Sequence, residues 1–266
     1  MRKDLANQLK MSHQTLKKLG QNYLTGNLRD YFQIQLIYVS SRFEGANVTR
    51  KEIETVIRNY PSSPRTKKPD ILQAYGQKKA LELIEKKVKE KDLIKVDWVP
   101  EIHKIILADI FEDRPGQFRT GPVKFRHTPF MTALPFMVPV EMQDFGDWLL
   151  SQQRKIDDNS VWEILEFATA SHYRIVRIHP FIDGNGRVAR IFFNLIMRHY
   201  NLPYVIIPKT FKDERLFEAF QAANQNDLGP LTNLFGELLR SSFNEVTNYY
   251  KVDSKKARKG KQSLRR

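Results

Sequence analysis

Residues 179–190, which read HPFIDGNGRVAR, constrain the fold strongly because they join two helical patterns. Apolar residues recur at three- and four-residue steps from Ser160 to Ile178, and again after Arg187, which predicts two buried helices. The glycines of the connecting turn present backbone N–H groups at the start of the second helix, beside the positive end of its dipole. The segment therefore predicts two buried helices that are joined by a phosphate-binding turn.

The side chains of this segment suit phosphate transfer. His179 precedes the turn, where its imidazole can accept a proton from a nucleophile. Asp183 offers the hard oxygen ligand that Mg²⁺ prefers. Arg187, Arg190 and Asn194 follow at steps of three and four, so we expect them on one helix face, within reach of the same anion. Taken singly, these residues have plainer explanations as a turn, a helix end before proline or solvated arginines.

The same segment resembles the signature of the Fic (filamentation induced by cAMP) family, HPFx[D/E]GNGRxxR, at every specified position. The resemblance implies an all-α Fic fold and transfer of AMP from ATP to a Ser, Thr or Tyr hydroxyl of a target protein. It also implies the roles of the site residues: His179 as general base, Asp183 as Mg²⁺ ligand, Gly184, Asn185 and Gly186 as anion hole, Arg187 on the phosphates, and Arg190 on the γ-phosphate.

A second motif precedes the signature. The stretch SSRFEG, residues 40–45, matches the inhibitory pattern [S/T]xxxE[G/N] of Fic proteins through Ser40 and Glu44. By that resemblance, Glu44 pairs with Arg190 and prevents productive binding of the γ-phosphate. Asn27 and Gly45 predict the two ends of a helix that presents this motif. An exposed glutamate without a function is the alternative, because so short a pattern is weakly specific.

The rest of the chain reads as helical. Thr49 and Glu52 form a capping box that predicts a helix start, and residues 61–69 read as a linker. Further helices are expected near 72–88, 97–111, 160–178, 213–225 and 230–249. We expect an N-terminal helical region with the inhibitory motif (1–96), a Fic core (97–240), and a helix end with a basic tail (241–266).

The stretch from 117 to 140 carries the strand-like patterns. Residues 123–127 and 134–138 predict two short edge strands, because prolines at 129, 135 and 139 limit strand pairing. The Fic resemblance places a β-hairpin flap here, whose edge would hold the target hydroxyl near the base. A hairpin packed for stability alone is the alternative. The predicted flap residues are Val123, Lys124, Phe125, Arg126 and His127.

One further contact comes from the resemblance. The segment FQAAN, residues 220–224, is similar to a Fic segment whose asparagine contacts the nucleoside, so Asn224 is a candidate ATP contact, with helix capping as the alternative. The histidines at 13, 103, 172 and 199 fall in helical patterns without metal-ligand spacing, which favours structural roles.

Composition limits the remaining classes. The net charge is +14, and residues 251–266 hold eight Lys or Arg and one Asp, a run typical of a solvated tail. No aromatic residues alternate with those charges, which argues against nucleic-acid binding. The chain has no cysteine, no signal-peptide pattern and no apolar run long enough to span a membrane, so a cytoplasmic location is expected.

The sequence thus favours a protein adenylyltransferase that uses ATP and Mg²⁺ and is inhibited by Glu44. Three alternatives stay open: a hydrolase that removes AMP from a protein, a transferase of another nucleotide, and a basic nucleic-acid-binding protein whose Fic core senses ATP. Self-modification and a homodimer also stay open.

Overall fold

The computed structural model describes residues 2–20, 23–24, 26–59, 68–110, 114–123, 132–207 and 214–263, with side chains up to residue 252. Within these ranges the regular elements are ten α-helices and one 3₁₀ turn, with no strand, so the expected all-α class is confirmed. The elements are α1 (Arg2–Lys17), α2 (Gly26–Phe43), α3 (Arg50–Asn59), α4 (Pro69–Glu90), α5 (Trp98–Leu107), the 3₁₀ turn (Pro135–Met137), α6 (Val138–Gln153), α7 (Val161–Ile178), α8 (Asn185–His199), α9 (Glu214–Asn224) and α10 (Gly229–Ser263).

Helix α8 lies at the centre of the molecule. Thirteen of its fifteen residues are buried, and it packs against α7, α4 and α5. Four of its polar residues share one face, which is buried with the rest, so each needs a partner from a neighbouring helix or loop. This face consists of Arg187, Arg190, Asn194 and Arg198.

The neighbouring helices hold this arrangement from two sides. Helices α2, α3 and α4 pack against one another, and α4 brings them against α8. Helix α1 packs on α7 and α10, and a Cβ added to Gly236 of α10 would lie 3.0 Å from Leu5 and 3.2 Å from Leu165. One continuous apolar core extends from Leu5 in α1 to Val246 in α10.

The expected strand over residues 134–138 is wrong, since these residues form the 3₁₀ turn and the start of α6. Pro135 and Pro139 lie in the first turns of the two elements, where proline fits because an N-terminal N–H has no partner within the helix. Val123 lies in irregular backbone. The other predicted flap residues (Lys124, Phe125, Arg126 and His127) lie outside the described residues.

The capping box is confirmed by its hydrogen bonds. The backbone N–H of Thr49 donates to Glu52 Oε2 at 2.8 Å, and the N–H of Glu52 donates to Thr49 Oγ1 at 3.2 Å. Helix α3 begins at Arg50, directly after this pair.

Candidate active site

His179 occupies the C-cap of α7 with a left-handed backbone, φ +53°. Its N–H donates to the carbonyl of Ile175 at 2.9 Å, which completes the last helical turn. Pro180 follows, and proline disfavours a right-handed helical conformation in the residue before it. The helix therefore ends at a fixed place and leaves the imidazole at the entrance of the turn.

The His179 ring is held in a neutral state. Its Nδ1 lies 3.3 Å from the carbonyl oxygen of Val176, which fits the tautomer with the proton on Nδ1. Burial lowers the pKa of His179 to about 4, and the nearby Arg119 guanidinium acts in the same direction. A neutral imidazole with Nδ1 protonated can accept a proton at Nε2 near pH 7, as a general base must.

The turn between α7 and α8 is closed by its own asparagine. Asn185 Oδ1 accepts from the N–H of Phe181 at 2.9 Å, and its Nδ2 donates to the Phe181 carbonyl at 2.8 Å. Gly184 has φ +79°, and α8 starts immediately after it. Because the amide of Asn185 is engaged with the loop backbone, the groups left to bind an anion here are the first N–H groups of α8, which have no acceptor within the helix.

His103 of α5 supports the same turn from behind. Its ring stacks on Phe181 with centroids 3.7 Å apart and 9° between planes. Its Nδ1 accepts from the N–H of Gly116 at 2.8 Å, so its Nε2 carries the proton and donates to the Asp183 carbonyl at 3.1 Å. Burial lowers the pKa of His103 to about 4, which keeps this tautomer neutral.

Arg187 links the turn to α4. Its Nη2 donates to Asp183 Oδ2 at 2.8 Å, and its Nη1 donates to Gln73 Oε1 at 3.0 Å. Its Nε is buried and has no hydrogen-bond partner among the described residues. An uncompensated buried donor costs free energy, so this atom is suited to receive an oxygen of a bound phosphate.

Arg190, one turn further along α8, meets the second motif. Its Nη2 donates to Glu44 Oε1 at 2.6 Å and to Ser40 Oγ at 3.0 Å, and its Nε donates to Ser40 Oγ at 3.2 Å. Glu44 follows α2 directly, and its N–H still donates to the Ser40 carbonyl at 3.3 Å. Gly45, with φ +90°, turns the chain away.

The Glu44 carboxylate also lies against the first turn of α8. A Cβ added to Gly186 would be 3.0 Å from Glu44 Oε1 and 3.1 Å from Arg190 Nη1. An anion near a helix N-terminus is stabilised by the unpaired N–H groups and by the helix dipole. In this structure Glu44 therefore supplies a negative charge beside the turn that the sequence assigns to phosphate.

The structure brings most, but not all, of the predicted site residues together. The predicted reach of Asn194 to the anion is wrong, because its Nδ2 donates to the Val205 carbonyl at 3.0 Å and its Oδ1 accepts from the Val205 N–H at 2.7 Å. Asn224 ends α9, and its Oδ1 accepts from the Tyr173 hydroxyl at 2.9 Å. Asn224 is thus hydrogen-bonded to a residue of α7 that lies six positions before His179.

Sequence reasoning missed three residues that hold the site: His103, Gln73 and Arg119. His103 looked structural because it falls in an apolar helical pattern, and nothing in the sequence placed Gln73 or Arg119 near the signature. Arg119 is 3% exposed and donates to the carbonyl of His179 at 2.7 Å.

The single carboxylate of the turn suits a metal ion whose other ligands come from the substrate and from water. Among the described residues, no group of three or more His, Cys, Asp or Glu side chains could hold a metal ion. Asp183 is the one carboxylate of the turn, and about half of its side chain is exposed. Mg²⁺ commonly binds through one or two carboxylates together with substrate phosphates and water, so this donor set fits a metal that arrives with a nucleotide.

No helix in the described part of the chain is long and apolar enough to cross a membrane.

Comparisons with known proteins identify similar sequences and similar folds. A sequence model of the Fic/DOC family matches residues 93–197, which include α5, the turn and most of α8. The chain is 32% identical over 203 residues to a protein from Nematostella vectensis named protein adenylyltransferase Fic; the match covers 75% of this chain and 45% of that protein. Protein adenylyltransferase fic-1 of Caenorhabditis elegans is 33% identical over 169 residues, 62% of this chain and 31% of the relative.

The fold has solved counterparts. A Fic-1 fragment from C. elegans matches 91% of this chain and 71% of its own with a TM-score of 0.71, at 24% identity. A Fic-domain signalling protein from Bacteroides thetaiotaomicron matches 92% of this chain and 95% of its own with a TM-score of 0.72, at 22% identity. The family match includes His103, Arg119 and the turn from His179 to Arg190. Residues 93–197 of this chain are therefore a Fic domain of the Fic/DOC family.

Proposed function

We propose that this chain is a protein adenylyltransferase that transfers AMP from ATP to a Ser, Thr or Tyr hydroxyl of a target protein. The observation that carries the proposal is a neutral His179 at the entrance of a turn whose helix N-terminus and buried arginines suit phosphate. The relatives named protein adenylyltransferase support it. The chain spans less than half of each, so their names guide the proposal without deciding it.

The mechanism follows from the positions of these groups. His179 accepts the proton of the target hydroxyl as its oxygen attacks the α-phosphorus of ATP. A phosphorus–oxygen bond to the target forms, and the bond to the leaving pyrophosphate breaks. The N–H groups at the start of α8 and the Arg187 guanidinium stabilise the charge that develops on the phosphate oxygens. Asp183 would hold Mg²⁺, which neutralises phosphate charge when bound.

Inhibition by Glu44 is part of the proposal. Arg190 is the residue that the family resemblance assigns to the γ-phosphate, and its guanidinium is engaged by Glu44 and Ser40. A triphosphate that uses Arg190 must therefore displace the Glu44 carboxylate. A role of residues 123–127 in presenting the target, and the Asn224 contact with the nucleoside, stay predictions.

A second candidate activity has one observation in its favour. The Glu44 carboxylate lies 3.0 Å from a Cβ position on Gly186, next to the turn that would hold AMP. A carboxylate at this place can orient a water molecule, which would attack the AMP–protein bond and remove AMP from the target.

The experiment uses the purified protein, Mg²⁺ and ATP labelled on either the α- or the γ-phosphate. AMP transfer retains α-label on protein and releases γ-label with pyrophosphate. His179→Ala is the control, and it should lower the rate by roughly two to four orders of magnitude, the usual contribution of a positioned base. Retention of the γ-label would show phosphorylation instead, and equal labelling of His179→Ala would show that the mechanism is wrong.

A further inference from the structure

Arg119 is a buried cation whose side-chain hydrogen bonds, among the described residues, all go to backbone carbonyls. Its Nε donates to His179 O at 2.7 Å, and its Nη2 lies 3.4 Å from Ile178 O. The same Nη2 donates to Ala133 O at 2.5 Å, and Nη1 donates to Gly121 O at 3.0 Å. One guanidinium therefore connects the end of α7 with two separate segments of chain.

The position of Arg119 has an electrostatic reason. The last carbonyls of a helix have no donor within it and form the negative end of its dipole, so they favour a cation. Ile178 and His179 supply two such carbonyls at the end of α7. The backbone adds a further link, because the N–H of Arg119 donates to the Pro180 carbonyl at 2.8 Å. Arg119 thus binds three consecutive residues, 178–180, at the point where the helix becomes the turn.

This contact acts on a residue whose backbone is unusual. His179 has φ +53°, a conformation that residues with a Cβ adopt only when their surroundings hold them there. The Arg119 fork fixes the His179 carbonyl, and with it the direction in which the imidazole leaves the backbone. We infer that Arg119 is a positioning residue, which holds the His179 imidazole in the orientation required for proton transfer.

The charge of Arg119 adds a second effect on the same ring. The charged groups that act on His179 are Arg119, Asp183 and Glu44, and Arg119 is the cation among them. A cation disfavours the protonated imidazole, so Arg119 lowers the pKa of His179 in addition to the effect of burial. Removal of this charge should move the pKa of His179 upward, towards its ordinary value.

The test compares Arg119→Met, which keeps length and removes the fork and the charge, with Arg119→Lys, which keeps the charge alone. Arg114→Met is the matched control, because Arg114 is exposed and lies five residues earlier. Three quantities are measured on the full chain: the rate of α-label transfer at saturating ATP across pH, the affinity for Mg·ATP by calorimetry, and the His179 pKa by NMR of the histidine rings. The His179→Ala protein assigns the His179 signal.

Arg119→Met should transfer AMP roughly 10- to 100-fold more slowly, the cost of a small misplacement of a reacting group, with unchanged affinity for Mg·ATP. The pH below which its transfer rate falls, and the pKa of His179, should both be higher than in the wild type. Arg119→Lys should restore the pKa and recover the rate only in part. Wild-type rate and pKa in Arg119→Met would overturn the inference, as would a parallel loss of rate and nucleotide affinity, which indicates a general structural role.

The activity arm rests on the proposed function, and the NMR arm does not. If neither the wild type nor Glu44→Gly transfers AMP, the proposed function fails, while the His179 pKa still tests the action of Arg119 on His179. A raised pKa in Arg119→Met, restored in Arg119→Lys, supports the inference, and an unchanged pKa contradicts it.

Discussion

Glu44 and Arg190 form the ion pair on which the proposed inhibition of the site depends. Arg190 is 5% exposed, so its charge requires a compensating anion in the folded protein. Glu44 supplies one at 2.6 Å, and a bound phosphate could supply another. Because both anions would use the same guanidinium, each competes with the other. Competition for one buried cation is a simple physical basis for inhibition within a single chain.

Asp183→Ala tests the metal assignment at the same scale. We expect the variant to fold, because an exposed carboxylate in a turn contributes little packing, but to bind ATP with little dependence on Mg²⁺. Calorimetric titration of ATP at several Mg²⁺ concentrations measures this dependence. Asp109→Ala, which removes an exposed carboxylate on another turn, is the control. A wild-type Mg²⁺ dependence in Asp183→Ala would show that the metal ligand lies elsewhere.

The site residues that could be predicted from the sequence are those that belong to one of the two short motifs. The spacing of Arg187 and Arg190 placed them on one face of α8, and the pattern around Glu44 carried its assignment to Arg190. Gln73 and Arg119 could not be found in this way, because they reach the turn from distant segments. Gln73 does so through one hydrogen bond to Arg187, and Arg119 through hydrogen bonds to the backbone of residues 178–180. Asn194 was misassigned because a polar helix face looks the same whether it meets a ligand or the backbone of Val205.

At the scale of elements, the largest difference between the prediction and the structure lies at a segment that contains proline. Residues 134–138 contain apolar residues and Pro135, a pattern typical of an edge strand and equally of a helix start. The structure has a 3₁₀ turn that runs directly into α6, and Pro135 and Pro139 each lie in a first turn. A local pattern cannot separate these two cases, because the choice depends on what the segment packs against.

Gly76→Ala tests the contact between α4 and α5, which carry Gln73 and His103 to the site. A Cβ on Gly76 would lie 2.3 Å from the backbone oxygen of Ile106, so the two helices must separate. We expect the free energy of unfolding to fall by about 1–3 kcal/mol, as measured by urea denaturation. Gly121→Ala, which meets nothing within 4 Å, is the control and should be nearly neutral. Equal stability of the two variants would contradict the close helix contact.

At the scale of the whole molecule, four histidines, on α1, on α5, on α7 and at the C-cap of α7, share one physical state. Burial lowers the pKa of His13, His103 and His179 to about 4 and that of His172 to about 3. In the unfolded chain these groups titrate near 6.5, so the unfolded state binds more protons as the pH falls below that value. The stability contributed by the neutral rings is present above pH 6.5 and is lost as the pH falls towards 4.

We therefore expect the free energy of unfolding to decrease between about pH 6.5 and pH 4, measured by urea denaturation at a series of pH values. His172→Phe removes one of these groups from a cluster formed with Phe193 and Phe235. Unfolding of this variant should take up fewer protons, by up to about one, so its free energy of unfolding should depend less steeply on pH. A free energy of unfolding that is constant over this range would contradict the neutral, buried state of these rings.

The measurement that tests the central claim most directly compares AMP self-labelling in the wild type, Glu44→Gly, Arg190→Ala and the double variant at one Mg²⁺ concentration. Glu44→Gly should be roughly 5- to 150-fold more active, the range of typical coupling energies, because it frees Arg190. Arg190→Ala and the double variant should be equally inactive, a strongly non-additive result. Asp158→Gly, which removes another exposed carboxylate from a turn, should match the wild type. A Glu44→Gly protein no more active than the wild type would contradict the account.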